Sequence, residues 1–317
     1  MRVAILDDIH AAWAKTDGVR RLREIADLEI FTRPVTDPAS LREFDALIAN
    51  RERTRFDREL LSALGNVKLI VQTGNHAAHI DFAAAEELGI TIGQASGGYS
   101  IGAAELAIGL TITVMRRIAE LDAALRRGEW TVPTTPVLNG KTFGVVGLGR
   151  VGSHAARIAA ACGMRILAWS PRLDAAAAEA KGAVLRPLDE LLAESDVVSI
   201  HASLNAGSRG LIDARRLGLM RSSSYLINTA RGPIVDEAAL IEALARRRIA
   251  GAALDVFDTE PMPAGHPLAS LPNVVMTPHI GWPTDSGYER FAESAFEVLF
   301  ACIHGREFPK FAESSHS

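Results

Sequence analysis

A strand, a glycine turn and a helix are written consecutively into residues 141–172. They read Lys141-Thr142-Phe143-Gly144-Val145-Val146, then Gly147-Leu148-Gly149-Arg150-Val151-Gly152, then an alanine-rich run to Cys162 and Arg165-Ile166-Leu167-Ala168-Trp169-Ser170. The apolar run 143–146 suits a strand buried on both faces, and the small residues after Val151 suit a helix lying on a sheet. Gly147 permits the tight turn, Gly149 lets backbone approach a pyrophosphate, and Gly152 lets the helix pack on the strand. Arg150 and Val151 open the helix, whose free N–H groups face an anion. Three glycines alone are a weak signal; a strand before and after them points to dinucleotide binding.

An acidic residue is expected at the end of the second strand of such a unit if it holds the adenosine ribose 2′-OH. Ser170 stands there, followed by Pro171 and Arg172. A serine exchanges one hydrogen bond with a 2′-OH, and an arginine pairs with a 2′-phosphate, so NAD and NADP both stay open.

The chain has 317 residues, 48% of them apolar, enough for two ordinary domains. A net charge of −4 argues against a nucleic-acid partner, and two cysteines against a disulfide framework. The most apolar stretch, 101–115, contains Glu105, so no membrane span is expected. No apolar leader follows Met1, and a cytoplasmic protein is the expectation.

Before residue 98, strand-like runs at 3–6, 28–31, 46–48, 69–72 and 90–92 alternate with helical stretches, which implies a parallel sheet. The fourth run leads into Thr73-Gly74-Asn75-His76, at the strand end where ligands gather, so Thr73 and Gly74 are candidate carboxylate binders. His76 and His79 read as surface or capping residues. Gly97-Gly98-Tyr99-Ser100 marks a domain boundary, with Ser100 a candidate N-cap for a helix over 101–117. Residues 130–140 form an extended arm whose Trp130, Val132 and Val137 suit packing on a second subunit. After Arg172 the alternation resumes, with strands at 183–185, 197–200, 225–228, 252–256 and 274–276. A helix over 285–304 ends the pattern; no strand is expected after it.

Three polar residues follow strands of the second half: Arg231, Glu260 and His279. An arginine offers a fork to a carboxylate or polarises a carbonyl, a histidine moves a proton, and a glutamate orients the ring. Together they suit carbonyl reduction, with His279 protonating the developing alkoxide.

Their contexts are Asn228-Thr229-Ala230-Arg231-Gly232, Leu254-Asp255-Val256-Phe257-Asp258-Thr259-Glu260-Pro261 and Thr277-Pro278-His279-Ile280-Gly281. With the glycine turn, these resemble the D-isomer-specific 2-hydroxyacid dehydrogenase family over nearly the whole chain. The resemblance implies two doubly wound α/β domains: a discontinuous, smaller, flavodoxin-like substrate domain at 1–98 and 285–317, and a Rossmann-type NAD(P)-binding domain at 99–284. It implies catalysis by Arg231, Glu260 and His279, with Arg231 also binding substrate. Asp255 would hold the nicotinamide carboxamide, with Thr229 and Ala230 lining the same pocket. It further implies a cleft between the domains, a homodimer built on 100–140, and a small 2-keto or 2-hydroxy acid as substrate. Glu260 argues against the formate-oxidising branch, where a glutamine stands. Phosphite-type oxidation keeps the same three groups, and a nucleotide-sensing corepressor uses the same scaffold. Ser170 and the 72–76 loop depart from the family's usual residues.

Overall fold

The computed structural model describes residues 1–74, 77–96 and 100–311. Asn75 and His76 of the expected substrate loop, Gly97, Gly98 and Tyr99 of the expected boundary, and the side chain of Ser100 lie outside the described residues. The chain divides into two compact units, Met1–Tyr99 with Pro283–Ser317, and Ser100–Trp282.

The first unit begins with β1 (Arg2–Ile5), α1 (Asp17–Ile25), β2 (Asp27–Ile30), β3 (Ala46–Ala49), α2 (Arg58–Ala63), β4 (Leu69–Thr73), α3 (Phe82–Glu87) and β5 (Thr91–Ala95). Its strands are all parallel, in the order β2-β1-β3-β4-β5, the flavodoxin-like winding. β3 and β4 are buried along their whole length, because helices cover both faces of a parallel sheet. Thr16, Asp57 and Asp81 start the three helices, each accepting a backbone N–H in the first turn.

The second unit opens with α4 (Ser100–Met115) and α5 (Ile118–Arg126). The single helix expected over 101–117 therefore ends early. Arg117 takes φ 55°, which breaks the helical hydrogen-bond run, and the chain restarts as α5. There follow β6 (Thr142–Val146), α6 (Arg150–Ala161), β7 (Arg165–Trp169), α7 (Ala175–Glu179), β8 (Val184–Leu185), α8 (Leu188–Glu194), β9 (Val197–Ile200), α9 (Ala214–Leu217), β10 (Tyr225–Asn228), α10 (Glu237–Ala245), β11 (Gly251–Leu254) and β12 (Val274–Met276). The seven parallel strands run β12-β11-β10-β9-β6-β7-β8. The chain thus winds outward one way from β6 to β8, then returns to β9 on the other side of β6. Neighbouring loops diverge at that reversal, leaving a crevice beyond the ends of β6 and β9. α6 turns Gly152, Ala155, Ala156 and Ala159 inward, and side chains this small let a helix lie close to the sheet.

α11 (Asp285–Ile303) returns to the first unit, packing on α1, β4 and β5. Glu289 on α11 accepts the N–H groups of Asp17 and Gly18 at the start of α1. As expected, no strand follows α11 among the described residues, but an isolated antiparallel bridge joins Lys310 to Gly93 of β5. Gln94 N–H donates to Pro309 O and Phe311 N–H to Ile92 O. The unpaired side of an edge strand offers such bonds to any extended segment that reaches it.

Candidate active site

The glycine turn is built as a pyrophosphate cradle requires. Gly147 has φ 104°, and a Cβ there would lie 2.6 Å from Ala202 N and 2.7 Å from His201 C, on the loop after β9. A Cβ on Gly152 would overlap the carbonyl oxygen of Gly147, whereas one on Gly149 would meet no protein atom within 4 Å. Two glycines thus close the turn and the third leaves its approach open. Arg150 and Val151 begin α6, with Arg150 exposed.

Ser170 has a use that the sequence does not announce. Its Oγ accepts the Leu148 N–H at 2.8 Å, while Lys181 Nζ donates to Leu148 O at 2.8 Å. Leu148, at the centre of the turn, is therefore held through both its backbone N–H and its carbonyl. Ser170 retains its hydroxyl proton as a donor, and Arg172 is exposed two residues on.

Beyond β10, the buried Asn228 shapes the next loop. Its Nδ2 donates to Arg231 O at 2.9 Å and its Oδ1 accepts the Ala230 N–H at 3.1 Å. Arg231 Nη1 donates to Ala230 O at 2.7 Å, which folds the guanidinium back over its own loop. Thr229 Oγ1 is buried and, among the described residues, has no hydrogen-bond partner. A buried hydroxyl without a partner is costly unless a ligand supplies one, which fits a polar cofactor group here. Gly232 lets this loop touch the next: a Cβ there would overlap the Phe257 carbonyl and lie 2.6 Å from Asp258 N.

That contact brings Arg231 to Glu260. The Glu260 Oε1 accepts the Phe257 N–H at 2.9 Å, and Oε2 accepts from His279 Nδ1 at 2.6 Å. Burial alone raises the Glu260 carboxyl, but the bonds from His279 and Phe257, with the charges of His279 and Arg231, take it below its ordinary value. Both side chains of the pair are about one-third exposed, at 33% and 34%. His279 has φ 55°, a left-handed backbone disfavoured for a side-chain-bearing residue.

Asp255 holds that backbone in place. Its Oδ1 accepts Thr277 Oγ1–H at 2.6 Å and Ile280 N–H at 2.8 Å; its Oδ2 accepts Gly281 N–H at 2.9 Å. The residue is fully buried, and burial pushes its carboxyl up against the pull of these bonds and of His279. Both oxygens thus serve the loop that carries His279.

The first unit treats its candidates differently. The Thr73 hydroxyl is fully buried, donating to Ala49 O and accepting Arg51 N–H, both at 2.9 Å, and Gly74 N–H donates to Ala95 O at 3.0 Å. Neither group presents a donor to a carboxylate, because the turn uses both to close the sheet. Arg51, which sequence reasoning missed, lies with its guanidinium against Gly74 and its side chain 16% exposed. His201 was missed as well. It follows β9 against Gly147, its Nε2 2.9 Å from Ser199 Oγ, and burial lowers its imidazole to about 4. Both occupy strand ends, the one signal that could have singled them out.

The D-isomer specific 2-hydroxyacid dehydrogenase NAD binding domain matches residues 108–281. A glyoxylate reductase of Thermofilum pendens is 38% identical over 302 residues, covering 91% of this chain and 88% of its own. The D-3-phosphoglycerate dehydrogenase of Methanocaldococcus jannaschii is 34% identical over 96% of this chain, which spans 58% of that protein's length. The solved phosphoglycerate oxidoreductase of Vibrio cholerae O395 superposes with a TM-score of 0.85 at 32% identity, covering 96% of this chain and 99% of its own. The chain belongs to the D-isomer specific 2-hydroxyacid dehydrogenase family. It is accordingly an NAD-dependent oxidoreductase. Among the described residues, no helix is long and apolar enough to cross a membrane.

Proposed function

We propose that the chain interconverts a small 2-keto acid and the D-2-hydroxy acid, with Arg231, Glu260 and His279 as its catalytic residues. The observation that carries this reading is the 2.6 Å contact between His279 Nδ1 and Glu260, with the Arg231 charge acting on the same carboxylate. The nicotinamide cofactor, when bound, exchanges a hydride with the substrate's carbonyl carbon. Arg231 receives the substrate carboxylate through its guanidinium fork and polarises the carbonyl. Glu260 occupies Nδ1 of His279, so Nε2 is the nitrogen that protonates the developing alkoxide, and in the oxidation it takes the hydroxyl proton. Gly147, Gly149, Gly152 and the first N–H groups of α6 are the residues that would hold the pyrophosphate, with Thr229 and Ala230 beside the nicotinamide.

The test is to mix pure protein with NADH or NADPH and glyoxylate, hydroxypyruvate, pyruvate or phenylpyruvate in turn, and follow oxidation of the cofactor. Turnover on at least one supports the reading. Binding of cofactor without turnover on any would replace it with a sensing role.

The active form is a homodimer on this reading. Trp130 and Val132 are 81% and 84% exposed, on an arm tied by the Arg116 Nε–Thr135 Oγ1 bond to the residue just after α4, and a second copy would cover them. A monomeric mass in sedimentation would remove that part.

A further inference from the structure

Unit Ser100–Trp282 contains a second carboxylate–histidine pair that the proposed chemistry does not use. Glu237 Oε1 lies 3.1 Å from His266 Nε2, and the two side chains are only 20% and 14% exposed. His266 Nδ1 accepts the Leu268 N–H at 3.4 Å, so the ring proton sits on Nε2 and points at Glu237. The other oxygen, Oε2, accepts the Asp258 N–H at 3.3 Å. One carboxylate thus joins three separate segments: the start of α10, the turn after β11, and the residues before the 3₁₀ turn Pro267–Ser270.

Glu237 is not needed to cap α10, since Asp236 accepts the Ala239 N–H at 3.0 Å. Its bond to Asp258 has a different effect. The next amide back, Phe257 N–H, donates to Glu260 Oε1, and Glu260 Oε2 meets His279. Two consecutive N–H groups of one turn are therefore held by two different carboxylates, Glu237 on one and the proposed catalytic Glu260 on the other. Other charges bear on the same place: burial raises the Asp258 carboxyl, Glu237 and Asp236 raise it further, and Arg209 and His266 oppose them.

We propose that Glu237, steadied by His266, is a positioning residue that fixes the 257–260 turn and so aims Glu260 at His279. It touches neither substrate nor cofactor and acts only through Glu260. The inference rests on the catalytic pair proposed above, and its test has one arm that does not need turnover.

The variants are Glu237→Ala, Glu237→Gln, Glu260→Gln and the double variant Glu237→Ala with Glu260→Gln. Steady-state kinetics should show kcat falling about tenfold in Glu237→Ala while KM for the reduced cofactor stays within about twofold. Glu237→Gln keeps an acceptor for Asp258 N–H and should recover most of the rate. The double variant should be no slower than Glu260→Gln alone, since both losses act through one carboxylate. Independently of turnover, two-bond ¹H–¹⁵N spectra of the histidine rings at alkaline pH report which nitrogen carries the proton. His279, assigned with His279→Asn, should hold it on Nδ1 in the parent and lose that preference in Glu237→Ala as in Glu260→Gln. His266→Gln leaves the Asp258 bond in place, should show an intermediate loss, and decides the matter if Glu237→Ala does not fold. A lower melting temperature with kcat and the His279 spectrum unchanged, or additive losses in the double variant, would overturn the proposal.

Discussion

His279 donates through Nδ1 to Oε2 of Glu260 at 2.6 Å, although nineteen positions separate them in the chain. The bond exists because β11 and β12 end side by side, bringing the loops that follow them together. Replacing His279 by Asn removes the proton carrier while keeping a polar side chain. Turnover should fall by about 10²-fold or more, with cofactor binding retained. A variant within a few-fold of the parent in kcat would remove His279 from the chemistry.

Asp255 accepts three hydrogen bonds from the residues around His279. In Asp255→Ala the left-handed turn at His279 loses its anchor, and Thr277, Ile280 and Gly281 lose a buried acceptor. The melting temperature and kcat should both drop, while the cofactor dissociation constant, read by fluorescence titration, stays near the parent's. A large loss of cofactor affinity with stability intact would instead favour the nicotinamide contact that the family resemblance implies.

Gly232 touches the Phe257–Asp258 peptide where a methyl group has no room. Gly232→Ala should therefore push the Arg231 loop away from the Glu260 turn and destabilise the fold by about 1–3 kcal/mol. Urea unfolding measures the second effect and KM for the keto acid the first. Parent-like values of both would mean that the two loops are free to separate.

Ser170 accepts from Leu148 and keeps its hydroxyl proton, so it can donate to an acceptor-rich phosphate as well as to a ribose hydroxyl. If Arg172 reads a 2′-phosphate, Arg172→Ala should weaken NADPH by about 10–100-fold and leave NADH nearly unchanged. Equal losses in calorimetric titrations would make Arg172 a bystander.

Burial lowers the His201 imidazole from 6.5 to about 4. Between those values the unfolded chain takes up a proton that the folded chain refuses. The contribution to stability is thus complete above 6.5 and is lost as pH falls toward 4, by up to about 3 kcal/mol. His201→Asn should flatten that part of the stability profile, measured by urea midpoints at neutral and acid pH. Parallel profiles for parent and variant would show that the ring titrates freely in the folded state.

The parallel alternation and the glycine turn were legible in residues 141–172 and the runs around them, because buried parallel strands and tight turns leave compositional marks, whereas the order of the strands within each sheet was not. Arg231, Glu260 and His279 could be chosen because each follows a strand of the same sheet. What Thr73, Ser170 and Asp255 do could not be read. Each is a small polar residue whose bonds depend on which backbone amide folds over it, and that is decided by loops more than twenty residues away in the chain. The same holds for Glu237, whose place beside Asp236 reads only as favourable charge at a helix start.

The pairing of residues 309–311 with β5 has a practical side. A shortened chain ending before Phe308 would leave Ile92 O and Gln94 N–H bare along an open border of the sheet, a template on which other molecules can stack strand to strand. Shortened forms of this protein should be prone to clumping even where every residue of the reaction centre is intact.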